Sequence, residues 1–415
     1  MNRHDADILR ALAEEKARIA ALPAQRVHAE LWQQANDLVP GRIPVYINEL
    51  PWHEMAYNDE LTLQCRDALA KRAEQVLRQE LYCWRHLPGH MVVSGHIEWP
   101  VAVNDSGFGI EEDVDIVRTD AASGVVSRHF HIQIAEEKDI EKIKDPIISI
   151  DQRRTEAELD WARQVFEPVL PVVQVGVKGY WFTPWDNLIR LTGVTEAMTD
   201  LVDRPEYIEA MLRRFMDASL VRMRRYSELG LWSSNNDNTR VGSGGYGYTA
   251  ALAPVDRHRL NAPLDQLWGC GNAQIFSEVS PEMHWDFSLK YELEWLQHFG
   301  LVYYGCCEQL HQKIDILKRI PNLRKISISP WADVRHAARE TEGKYVLSLK
   351  PNPAIFAEDT WRPGRAREEI GAMLEQARGC PAELIMKDVS TVRYEPERVF
   401  EWAAIAVETA EGLMG

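Results

Sequence analysis

From about residue 155 to the end of the chain, strand-like and helix-like segments alternate, and this order constrains the fold more than any single motif. The pattern predicts a helix over 155–166, a strand over 172–177, and helices over 185–191 and 204–229. It continues with strands at 264–270, 301–304, 325–329, 345–349 and 383–386. Helices at 281–298, 310–319, 332–341, 363–377 and 396–410 follow them in turn. Strands separated by helices imply parallel βαβ units. The regular spacing through the C-terminal half favours a closed (β/α)8 barrel over an open doubly wound sheet.

Before that region the pattern is mixed. Residues 5–22 and 59–80 read as amphipathic helices, 43–47 as a short strand broken by Asn48-Glu49-Leu50-Pro51-Trp52, and 91–93 as a strand. Residues 99–134 alternate apolar positions with Gly breaks, which suits a β-rich insertion. The expected organisation is one catalytic unit, with 1–90 a helical extension packed on a barrel formed by 91–415. With 63 acidic against 47 basic residues the chain has a formal charge of −16, which argues against a nucleic-acid surface. No run is apolar and long enough for a signal peptide or a membrane span, so a cytoplasmic location is expected. Six cysteines, two of them adjacent, do not make a disulfide framework; Cys65, Cys83 and Cys380 read as small packed residues.

In a barrel, chemistry sits at the C-terminal ends of the strands. The residues there are His96 and Glu98, Trp181 and Asp186, Asn272 and Gln274, Cys306 to Glu308, Ser329 and Trp331, Lys350 and Asn352, and Lys387 and Asp388. Tyr303-Tyr304-Gly305-Cys306-Cys307-Glu308-Gln309-Leu310-His311 brings thiols, a carboxylate and an imidazole to one strand-helix junction. Soft sulfur with imidazole suits zinc better than magnesium or calcium. His311 lies four residues beyond Cys307, a spacing that shares a helix face, and Glu308 could be a third ligand or hold His311. The competing reading makes the cysteines ordinary small residues beneath the barrel mouth and His311 an exposed helix residue.

Lys350 precedes Pro351-Asn352-Pro353 and could neutralise a substrate carboxylate or phosphate, or pair with Asp388. Asp388 could be a metal ligand, a general base or a cap. His129 and His131 fit a surface strand. Gly242-Ser243-Gly244-Gly245-Tyr246-Gly247-Tyr248 lacks a phosphate-loop register and reads as a flexible active-site loop carrying Tyr246 and Tyr248. Trp181 and Trp185, among 14 tryptophans, could wall a pocket.

Asp203-Arg204-Pro205-Glu206-Tyr207-Ile208, Val279-Ser280-Pro281-Glu282 and the Cys-bearing strand end after Phe299-Gly300-Leu301 resemble the uroporphyrinogen decarboxylase superfamily. The branch they are most similar to contains zinc-dependent, corrinoid-linked methyltransferases, and the resemblance covers roughly 181–410. It implies a (β/α)8 barrel with its pocket in the C-terminal mouth, and zinc held by a His-x-Cys and a later Cys. In this chain Tyr304 stands where that His would be, Cys306 matches the first Cys, and Lys387-Asp388 stands near the later one. The Arg-rich signature of the decarboxylase is replaced by Ile47-Asn48-Glu49-Leu50-Pro51, which argues against porphyrinogen decarboxylation.

The resulting expectation is a zinc-dependent methyltransferase moving a methyl group between a small substrate or acceptor and a corrinoid on a separate protein. Its candidate catalytic residues are Lys350, Asp388 and Tyr246. Asn272, Gln274, Trp181, Asn352, Lys387 and His96 would bind substrate, and Cys306, Cys307, His311 and Glu308 would bind metal. Two alternatives remain open: a metal-independent decarboxylase or lyase using Lys350, Lys387 and Asp388, and a non-catalytic cobamide- or tetrapyrrole-binding barrel.

Overall fold

A computed structural model describes residues 2–117, 126–256 and 260–412. Its centre is a seven-stranded sheet in the order Val45–Ile47, Ala382–Met386, Val346–Leu349, Leu323–Ile328, Leu301–Tyr304, Trp268–Gly271 and Trp181–Phe182. Every ladder in it is parallel. Successive strands lie side by side with helical crossovers between them, and the first strand of the chain lies beside the last. A separate parallel pair joins Ile97–Pro100 to Val172–Val175.

The expected parallel α/β arrangement is therefore present, but closure of the barrel is not shown. Among the described residues no ladder joins the two edge strands, Val45–Ile47 and Trp181–Phe182. Side chains occupy backbone groups near that gap. Asn235 Nδ2 donates to the carbonyls of Lys178 (2.7 Å) and Trp268 (2.9 Å), while Asn235 Oδ1 accepts from Trp268 N. His90 Nδ1 accepts from Val45 N.

Two other expectations change. Val45–Ile47 belongs to the main sheet, so residues 1–90 are not merely a helical extension. Residues 91–93 form no strand: the Gln25 side chain accepts from Val93 N, and Asn238 Nδ2 donates to Val92 O. The strand of that region is Ile97–Pro100 instead. The β-rich insertion consists of short antiparallel pairs, Val103–Asp105 with Ile148–Ile150 and Val114–Val117 with Ser127–Phe130; its stretch 118–125 lies outside the described residues. His129 and His131 are exposed there. Among the described residues no helix is long and apolar enough to cross a membrane.

The sheet has two unlike faces because side chains alternate along a strand. Val45, Ile47, Val302, Tyr304, Ile326, Ile328, Leu347, Leu349, Leu384 and Met386 join the main apolar core with the crossover helices. The opposite face carries Tyr303, Lys325, Ser327, Ser348, Lys350 and Glu383, all buried. Lys325 Nζ lies 2.8 Å from Glu383 Oε2, and Glu383 Oε1 accepts from Ser348 Oγ and Gly245 N. A buried charge is tolerated when it is paired and its remaining lone pairs are used, as they are here.

The glycine-rich loop packs onto this polar face. A Cβ at Gly244 would lie 2.4 Å from Glu383 Oε1, and one at Gly242 the same distance from Tyr303 Cδ1, so glycine is required for close approach. Tyr246 is buried between Trp32 and Tyr46, with ring centroids 5.3 and 4.8 Å away. This loop is a packed floor beneath the sheet face, in place of the expected flexible active-site loop.

Candidate active site

Parallel strands bring their C-terminal ends to one edge of the sheet, and there a charged cluster forms around two thiols. Leu301–Tyr304 ends at Gly305, whose φ of +100° turns the chain in a way a side chain would resist. Glu308 then folds back and accepts from Cys306 N (2.6 Å) and Ala273 N (2.9 Å), while Ser327 Oγ donates to the Cys306 carbonyl. These bonds fix the turn and leave the two cysteine sulfurs 3.6 Å apart.

Lys387, at the end of Ala382–Met386, places its ammonium 3.2 Å from Cys306 Sγ and 2.6 Å from Asp388 Oδ2. Glu49 Oε2 is 3.8 Å from the same ammonium and accepts from Asp388 N. The Cys307 thiol faces Asp388 Oδ2 at 3.7 Å. The hydrogen bond from Cys307 and the Lys387 charge bring the Cys306 thiol down to about 7, against the opposing effect of burial. Cys307 is pushed up, first by that same hydrogen bond to Cys306 and then by burial. Burial works to lower Lys387, but Cys306, Asp388 and Glu49 outweigh it and raise it.

Beneath this cluster Lys350 donates to the Tyr303 hydroxyl (2.7 Å) and to Ser348. Burial, reinforced by the Lys387 charge, lowers its ammonium to about 7. Its partner is Tyr303 rather than Asp388. Beside the thiols, Trp181 Nε1 donates to Asn272 Oδ1 (2.5 Å), and Gln274 donates to Asp186. Arg240 connects the two sides: its guanidinium binds Asn48 and Glu49 and lies 5.9 Å from the Trp181 ring centroid.

The structure thus brings Cys306, Cys307, Lys387 and Asp388 into direct contact, with Lys350 just below and Asn272, Gln274 and Trp181 on neighbouring strand ends. It does not bring the remaining candidates to the thiols by any direct contact. His311 lies on a short 3-10 turn, Leu310–Gln312, with its ring 5.7 Å from that of His336. No helix carries both Cys307 and His311, because the Glu308-bonded turn occupies the intervening residues. Asn352 caps Pro353–Ala357 by accepting from Ala354 N. His96 pairs with Glu98 and lines a separate cavity of about 590 Å³ with Trp99, Lys178 and Thr239. Tyr246 belongs to the aromatic floor. Glu49 and Arg240 are site members that sequence reasoning passed over.

The donor set does not fit the expected zinc site. Among the described residues no group of three or more His, Cys, Asp or Glu side chains is arranged to hold a metal ion. Both Glu308 oxygens are occupied by backbone N–H groups, and an ammonium already contacts Cys306 where a divalent cation would be repelled.

No family model matches this chain, and no curated protein matches it. Among solved structures it is similar to a methyltransferase from Methanosarcina mazei, with 10% identity, 94% of this chain and 99% of that one covered, and a TM-score of 0.49. At that distance the likeness carries no argument about this chain's chemistry.

Proposed function

We propose that this chain is a methyltransferase of the uroporphyrinogen decarboxylase type in which the Cys306 thiolate, held by Lys387, is the group that takes and releases the methyl. The observation that carries this is the 3.2 Å contact between the Lys387 ammonium and Cys306 Sγ at a strand end. In this reading the parallel strands wrap into a (β/α)8 barrel, a view supported by the first strand lying beside the last. A corrinoid on a separate protein would supply or accept the methyl group, as the sequence resemblance implies.

The roles of the chain's own residues follow from charge. Cys306 as thiolate attacks the methyl carbon; a sulfur-carbon bond forms as the bond from methyl to donor breaks, and the donor leaves with the electron pair. On transfer, an electron pair of the acceptor forms the new bond to the methyl carbon as the sulfur-carbon bond breaks and its electrons return to sulfur. The Lys387 ammonium stabilises that returning thiolate. Asp388 and Glu49 hold Lys387 in position, and Trp181 with Asn272 forms the adjoining wall.

Cobalamin spectra test this proposal. Methylated amines, ethers and thiols are screened as donors to cob(I)alamin, and thiols and folates as acceptors from methylcobalamin. A spectral change with wild type that Cys306→Ser abolishes is expected; a change undiminished in that variant contradicts the assignment.

A second reading rests on a different observation, the buried Lys350 that donates to Tyr303 and is held down further by the neighbouring Lys387 charge. That pairing suits a lyase or decarboxylase acting on a carboxylated substrate. Release of carbon dioxide that depends on Lys350 and not on Cys306 would favour it.

A further inference from the structure

We propose that Cys306 and Cys307 together form a vicinal dithiol site for a trivalent organoarsenical, a neutral ligand that makes two covalent bonds to sulfur. This inference is independent of methyl transfer. It starts from the mismatch at the thiols: two soft donors 3.6 Å apart, a neighbouring Asp388 carboxylate already paired with Lys387, no group of three or more His, Cys, Asp or Glu side chains arranged to hold a metal ion among the described residues, and a fixed ammonium 3.2 Å from one sulfur. Zinc requires about four ligands and carries charge that Lys387 opposes. A trivalent arsenical brings its own carbon as the third substituent, is uncharged as the arsonous acid, and needs only two thiolates.

The surroundings suit the exchange. Cys306 is buried against Lys387, whereas Cys307 is only partly buried and Asp388 is half exposed, so a ligand can arrive from the Cys307 side. The Cys306 thiolate bonds to arsenic and displaces one hydroxide, which takes a proton from solvent and leaves as water. Cys307 then gives its proton to Asp388 as its sulfur displaces the second hydroxide, which departs as water with that proton. Each arsenic-oxygen bond is replaced by an arsenic-sulfur bond, and arsenic remains trivalent throughout. Elsewhere Cys65 and Cys380 donate to the backbone carbonyls of Asp5 and Ala338, and Cys270 to that of Tyr180.

The test uses the reduced full-length chain and phenylarsine oxide. Native mass spectrometry should show one phenylarsenic adduct per chain, removed by a dithiol and retained in excess monothiol. Cys306→Ser and Cys307→Ser should each weaken uptake by about 100-fold or more, because the second bond becomes unavailable, while Cys380→Ser leaves it unchanged. Peptide mapping of the adduct should show residues 306 and 307 protected from iodoacetamide. No adduct on folded wild type, equal uptake by either single serine variant, or protection of other cysteines in place of this pair overturns the proposal. Circular dichroism of each variant confirms that lost uptake is not lost folding.

Discussion

Replacing Lys387 by Met keeps much of the aliphatic stem and removes the charge that holds Cys306 as thiolate. In the native site the Cys307 hydrogen bond and the Lys387 ammonium bring Cys306 from the ordinary thiol value of 9.0 to about 7, although burial pushes the other way. That difference corresponds to about 3 kcal/mol between the two protonation states. With Met at 387, burial is opposed mainly by Cys307, so the midpoint should rise by about one to two pH units. Near pH 7 the thiolate fraction then falls from about half to between about 1% and 10%, a loss of about 5- to 50-fold. The rate of Cys306 alkylation by iodoacetamide across pH 5.5–10, a range set by the ordinary thiol value, reads this midpoint when fragment ions separate residue 306 from 307. Reactivity of wild type should climb through about pH 7, and Lys387→Arg should stay near it. A Lys387→Met midpoint equal to that of wild type would refute the claim that this ammonium activates the thiol.

Other consequences follow from the buried polar face and the core around it. Lys325→Met leaves Glu383 buried without its partner at 2.8 Å, and urea unfolding should show a loss of about 3–5 kcal/mol; a loss below about 1 kcal/mol contradicts the pairing. Gly244→Ala would drive a methyl to 2.4 Å from Glu383 Oε1 and should cost about 1–3 kcal/mol, whereas Gly364→Ala, with nothing within 4 Å, should not lower the melting temperature. Glu292 is raised to about 7 by burial, so its contribution is retained below the ordinary carboxylate range and lost as pH rises through about 7. Glu292→Gln should therefore gain on wild type by up to about 3 kcal/mol between pH 5 and pH 8 in urea midpoints, and parallel curves would contradict the raised carboxyl.

The parallel core was legible because short apolar runs such as Leu301–Tyr304 and Ala382–Met386 are bounded by helix patterns. Lys325-Ile326-Ser327-Ile328 and Ser348-Leu349-Lys350 also carried a period-two signal for a polar sheet face, but their apolar members dominated the strand assignment. The strand ends carrying Cys306-Cys307 and Lys387-Asp388 are legible as neighbouring strand ends, while His311 is not brought to the thiols. Helical spacing suggested that His311 would face Cys307, yet Gly305 and the Glu308 carboxylate form a turn where that helix would have begun. Glu49 reaches Asp388 across 339 residues of sequence, and Arg240 reaches Glu49 across 191, contacts with no local signature. The break between the two edge strands is similarly hidden, since side-chain amides such as Asn235 take up backbone groups near it.

The most direct test of the central claim follows the methyl group itself. Wild-type protein is incubated with methylcobalamin carrying a deuterated methyl, quenched before acceptor is added, and digested for mass spectrometry. The expected result is a deuterated methyl on the sulfur of Cys306, lost when a competent acceptor is supplied and slowed in Lys387→Met. Methyl transfer from methylcobalamin to acceptor that proceeds at the wild-type rate in Cys306→Ser, with no label on this residue in wild type, would contradict it.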